Sequence, residues 1–200
     1  MTPGNEPPTG IGDLARSCVR FVKDALGIEL DYSSDTLPVL DHYIRSRLEV
    51  SGDEILGLLA PTTGAYFGEV VRRGMAGARW HTAGELYPSY RLEFEPFYLC
   101  FNPIGIAVEV ITRMDAGDWS AHFSMLDEAR ATVEHALDQN PSVEEDDYYT
   151  FSVRFEVLQQ VAELLGAIES RLPGPRRTFG PEVYRAAHGE RSTHGPHARS

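Results

Sequence analysis

The stretch GAYFGEVVRRGMAGARW, residues 64–80, gathers the residue types most able to do chemistry in this chain. Read as a helix running into a strand, it places Tyr66, Glu69 and Arg73 on the helix, with Trp80 and His81 just beyond. Those five could wall a pocket where a carboxylate, a guanidinium and an imidazole meet a small ligand between aromatic rings. A carboxylate acting as general base also needs an acid or a metal ion to complete a reaction. The spacing supplies neither to Glu69. Arg73 stands four residues after Glu69 instead, the favourable orientation for a helical ion pair, so a structural role is the stronger reading of these charges.

Gly64 and Gly68 form a G-x-x-x-G pair on the same helix. Glycine disfavours a helix interior by about 1 kcal/mol relative to alanine. Bare backbone at both positions is expected where a neighbouring chain or ring comes close and restores the loss as dispersion contacts. This predicts packing first and a pocket second.

Other groups that might act are scattered. His122 and His135 fall on one expected helix but too far apart to share an ion, and no H-x-x-x-H or H-E-x-x-H occurs, so no metal site is expected. Cys18 and Cys100 read as two buried reduced thiols. The chain has no G-x-S-x-G, P-loop or dinucleotide fingerprint, so no cofactor and no catalytic residue is assigned. The run EEDDYY (144–149) lacks the glycine-bearing loop of a calcium site and suits the first turn of a helix, whose dipole favours carboxylates there.

Charge narrows the partners. The net charge is −12, and residues 173–200, with five arginines and two glutamates, carry +3, so the rest carries −15. An acidic body of this kind repels nucleic acid and anionic lipid and suits a basic protein partner. No apolar run approaches the roughly 20 residues of a membrane span. MTPGNEPPTG has no apolar leader core, and a cytoplasmic protein is expected.

The elements that must position these groups follow from periodicity. Residues 1–10 read as a flexible lead-in, and Ile11 to Leu26 as an amphipathic helix stopped by Gly27. IELDY (28–32) reads as a short strand. Leu37, Leu40, Ile44 and Leu48 mark a second helix. A third begins near Asp53, breaks at Pro61, and resumes from Thr62 to Met75. Strands are expected near 78–83, 89–94 and 97–101, then a helix from Pro103 capped by Asn102. Two further helices, 119–138 and one opened by a Ser142–Glu145 capping box and running to Leu172, would form an antiparallel hairpin. Residues 173–200 read as a disordered basic tail in which Phe179 and Tyr184 are isolated anchors. The fold class is α+β over residues 11–172: a small antiparallel sheet of about four short strands packed by helices.

The pattern G-A-Y-F-G-E-V-V-R-R followed by A-R-W resembles a motif of small, uncharacterised bacterial proteins in which a helix of this type runs into a strand bearing Trp. With LDYSSDTLPVLDHYI upstream, the likeness covers about residues 28–110. It implies the alignment of Gly64, Tyr66, Gly68, Glu69 and Trp80, and by analogy a likeness to immunity proteins of bacterial toxin systems. It supplies no catalytic residues. The expectation is a non-enzymatic protein-binding or immunity-like accessory module. The alternative is a small-molecule sensor or enzyme with its pocket around Glu69 and Trp80.

Overall fold

The computed structural model describes residues 6–51, 56–82, 86–139 and 145–189. The apolar three-four pattern at the start becomes α1 (Thr9–Leu26), ended by Gly27 at φ 71°, whose N–H returns to the Lys23 carbonyl. A 3-10 turn, Ser34–Thr36, leads into α2 (Leu37–Ser51). Next comes α3 (Leu56–Gly74), the axis of the molecule: every residue from Leu59 to Val71 is buried. A helix buried all round needs neighbours on several sides, and α1 and the helix after the sheet, α4 (Pro103–Thr112), pack most extensively against it.

Four strands form an antiparallel meander in chain order, β1 (Ala78–His81), β2 (Arg91–Phe94), β3 (Leu99–Phe101) and β4 (Ser124–Met125). Cross-strand partners share a face of a sheet, and the register separates two kinds of row. Trp80, Leu92 and Phe101 pair in one apolar row. Arg79, Glu93, Cys100 and Ser124 pair in a polar row across all four strands, with His81 opposite Arg91 two residues along. Asn102 then caps α4, its side chain accepting the Ile104 N–H, with Pro103 as first helical residue.

The chain closes with α5 (Asp127–Asp138), α6 (Glu145–Tyr148), α7 (Phe151–Arg171) and α8 (Pro181–Ala187). The α+β class stands as read from the sequence. Several elements do not.

Residues 28–31 make no ladder bonds, and Tyr32 sits in the left-handed region at φ 65°, so IELDY is not a strand. The helix around Pro61 is unbroken. The carbonyl that loses its donor there belongs to Gly57, an exposed residue, and the Thr62 and Thr63 hydroxyls bond back to the Leu58 and Leu59 carbonyls. Residues 119–138 are not one helix. A 3-10 turn, Gly117–Trp119, is followed by Ser120 at φ 53° and then by β4, so the apolar spacing of Trp119, Phe123 and Leu126 serves a turn and a strand. The expected hairpin over 119–172 is therefore replaced by α5 packed on α7, with α6 between them in the chain. The Ser142 half of the expected capping box lies outside the described residues. Thr150 caps α7 instead, accepting the Val153 N–H. The α2 carboxylate Asp41 adds a second cap by accepting the N–H groups of Phe151 and Ser152.

The correction with most consequence concerns the tail. From 173 to 189 it folds back on the sheet, with Phe179 and Tyr184 both buried, Tyr184 stacked on Tyr98 and Phe179 edge-on to it. Aromatic anchors in a basic context were legible in sequence, and the chain's own sheet is what they bind. The tail's last residues, 190–200, lie outside the described residues.

Candidate functional site

The five residues singled out in sequence fall into two groups. Gly64 and Gly68 explain the first. A Cβ at position 64 would stand 2.5 Å from the Ile104 Cα, and one at 68 would overlap the Trp80 ring. Bare backbone lets α4 and β1 close on α3. The Trp80 indole then donates from Nε1 to Glu69 Oε1 at 2.9 Å. Arg72 grips both Glu69 oxygens, Nε to Oε1 and Nη2 to Oε2, each at 2.7 Å, and Arg73 reaches Oε2 at 3.4 Å. Burial alone would push the Glu69 pKa up, but Arg72, Trp80 and Arg73 together hold it below the ordinary carboxylate value. A carboxylate so occupied is an ion-pair anchor and a poor base.

Tyr66 lies on the other side of the same assembly. Its ring stacks on Tyr32, its oxygen accepts the Tyr32 N–H at 3.0 Å, and it meets the Thr36 hydroxyl at 2.7 Å. Burial pushes its pKa up to about 12. The Arg73 guanidinium covers the outer face of Tyr32, 3.7 Å from the ring centroid. Glu69 and Arg73 do line a cleft of about 580 Å³, together with Arg16, Tyr32 and Arg72. Tyr66, Trp80 and His81 are not in its wall. Sequence spacing thus brought Glu69, Arg73 and Trp80 together correctly, but as a packed ion-pair network.

His81 belongs to the second group, on the polar row of the sheet. Glu93, buried there, receives Arg91 Nε at 2.9 Å and Arg79 Nη2 at 3.0 Å, with His81 Nδ1 at 3.8 Å. Two arginines thus flank one buried carboxylate in this row. Beside it opens a cavity of about 420 Å³, walled by the 3-10 turn Tyr87–Ser89, by β2 and β3, by the loop before β4, and by the end of α8. Its polar lining is Ser89, Tyr90, Arg91, Cys100, Ser120, His122, Ser124 and His188, and among the described residues no carboxylate contributes.

Each wall is held from behind. Glu93 fixes Arg91. Asn102 Nδ2 donates to the Tyr87 carbonyl and its backbone N–H to the Ser120 carbonyl, both at 2.8 Å, tying two loops to the start of α4. Gly105 lets the loop lie directly on that helix, since a Cβ there would come within 2.6 Å of the Trp119 carbonyl oxygen. The Tyr184 hydroxyl enters where the next β2–β3 ladder pair would stand, donating to the Phe94 carbonyl at 2.7 Å and accepting the Leu99 N–H at 3.0 Å. This seats α8, and with it His188, whose Nε2 lies 3.4 Å from the Cys100 sulfur.

A Cys–His pair facing a cavity invites a nucleophilic reading. The thiol argues otherwise. Burial pushes the Cys100 pKa up to about 11, whereas reactive cysteines carry depressed values in electropositive, accessible settings. Sequence reasoning missed the cavity because its residues come from four separate segments, and the one legible clue was the alternation R-L-E-F in β2, a polar face on a buried strand.

Comparison with known protein families, with curated proteins and with solved structures finds no significant match. Among the described residues no helix is long and apolar enough to cross a membrane.

Proposed function

We propose that the protein is a non-enzymatic binding module whose cavity on the polar sheet face takes a small anionic ligand, a carboxylate or phosphate. One observation carries this reading: in a chain of net charge −12, the polar lining, Arg91 included, consists of groups able to donate hydrogen bonds, with no described carboxylate among them. A guanidinium fixed by Glu93 is pre-organised for a planar anion. Hydroxyls at Ser89, Ser120 and Ser124 add adaptable donors, and a volume of about 420 Å³ lies within the usual range for small-molecule sites.

A thermal-shift screen of small anions, cations and neutral compounds tests it. A ligand present at about 100 times its dissociation constant adds roughly 2.7 kcal/mol. Stabilising hits should be anions, and His188→Ala or Ser124→Ala should weaken them. Hits confined to cations, or none among a broad set of anions, contradict the reading.

The net charge favours a second reading, an immunity-like accessory protein that masks a basic partner. Complementary charge speeds such encounters at low salt. An association of this kind weakens as ionic strength rises to about 0.5 M, where screening acts within a few ångströms. Binding indifferent to salt contradicts it.

A further inference from the structure

Outside the cavity's inner wall, three ligating side chains converge at the end of α4. Glu109 sits in its last turn, Asp115 in the loop that follows, and His122 at the cavity rim. His122 Nε2 lies 3.0 Å from Asp115 Oδ2 and 3.6 Å from Glu109 Oε1, and the ligand atoms all fall within 4.8 Å of one another. Ligands on a tetrahedral zinc ion with bonds of about 2.0–2.1 Å stand roughly 3.3 Å apart. The edges of 3.0 and 3.6 Å bracket that spacing.

The second oxygen of each carboxylate is already taken. Glu109 Oε2 receives the Arg154 guanidinium, and Asp115 Oδ1 accepts the Gly117 N–H at 2.7 Å. Glu109 Oε1 also accepts the Ala116 N–H at 3.1 Å, which closes the loop onto the helix end. Glu109 Oε1, with a second lone pair beside its Ala116 bond, Asp115 Oδ2 and the His122 imidazole nitrogen are the three atoms that face one another. Outer contacts that orient the ligands are the usual support of a metal site. Glu109 is buried, while Asp115 and His122 are exposed, so the site has a fixed inner ligand and a face open to water.

We propose that Glu109, Asp115 and His122 bind a divalent transition-metal ion, zinc or a chemical equivalent, through Oε1, Oδ2 and Nε2, with water completing the shell. One imidazole with two carboxylates suits borderline ions of this class. The two carboxylates and Arg154 leave a local charge of −1 to receive the ion. The chain's sequence carries no helical metal motif because only Glu109 lies on a helix; the other two ligands belong to the irregular segment before β4. The metal site shares His122 with the cavity of the anion-binding reading, while Glu109 and Asp115 belong to the metal site alone.

Cobalt(II) is the probe. The full chain, carrying His194→Ala and His197→Ala to remove histidines elsewhere in the tail, should bind one equivalent of Co²⁺ with a visible d–d band that Zn²⁺ displaces. His122→Ala and Asp115→Asn alter exposed side chains, and each should lower Co²⁺ affinity by about tenfold or more with the circular dichroism unchanged. A band absent from the full chain, one lost with His194 and His197, or an affinity unchanged in both site variants shows that the three residues form an ion pair only.

Discussion

The Trp80 indole lies against the bare backbone of Gly68 while its N–H reaches Glu69 on the next residue of the same helix. Ring and hydrogen bond together dock β1 on α3. Alanine at 68 puts a methyl into the ring, and alanine at 64 puts one against the Ile104 backbone. Overpacking of this kind costs about 1–3 kcal/mol, which outweighs the roughly 1 kcal/mol of helix propensity that alanine brings. Urea titration of Gly64→Ala and Gly68→Ala should show lowered midpoints.

The opposite sign is expected at Gly57 and Gly166, which lie in α3 and α7 with nothing within 4 Å of an added Cβ. Their alanine variants should gain about 0.5–1 kcal/mol. Results of the same sign at all four positions would contradict close approach as the reason for the G-x-x-x-G spacing.

Glu69 gives a pH signature. Its folded pKa lies below its ordinary value of 4.5, so the unfolded chain takes up the proton first as pH falls. The stabilisation is therefore complete above about 4.5 and drains away as pH drops through the folded value. Glu69→Gln should lose about 3 kcal/mol at neutral pH, the scale of breaking a buried pair. The difference between parent and variant should shrink on acidification below 4.5. A difference independent of pH would show that the carboxylate's charge is not what Arg72 and Trp80 recognise.

Tyr184→Phe tests the docking of the tail. Removing the hydroxyl strands the Phe94 carbonyl and the Leu99 N–H in a buried setting, at about 1–3 kcal/mol. Hydrogen exchange should show the Leu99 amide losing protection. Unchanged stability and exchange would return the segment to the free tail that its Pro, Gly and Arg content suggested.

That tail shows where sequence stops informing. Helices α1, α2 and α4 were legible because apolar spacing, joined by the Gly27 stop of α1 and the Asn102 cap of α4, agrees with burial, and the G-x-x-x-G pair announced close packing before any neighbour was visible. Ser120 and Tyr32, with positive φ, were not legible: no local rule marks serine or tyrosine for that region, and tertiary contacts hold them there. The cavity was hidden for a related reason. Cys100 pairs with Glu93 and Ser124 only through sheet register, and His188 reaches Cys100 only because Tyr184, four residues earlier, is caught between β2 and β3. Glu69, in contrast, drew attention as a reactive carboxylate and proved fully engaged, since spacing reveals proximity and not how many donors a group already holds.

The most direct test of the donor-lined cavity is an amide and imidazole chemical-shift titration with the best-stabilising anion. The account predicts perturbations gathered on Ser89–Arg91, Cys100, Ser120–Ser124 and His188. Shifts gathered instead on Arg16, Arg72 and Arg73 beside Glu69, or spread evenly over the surface, would contradict it.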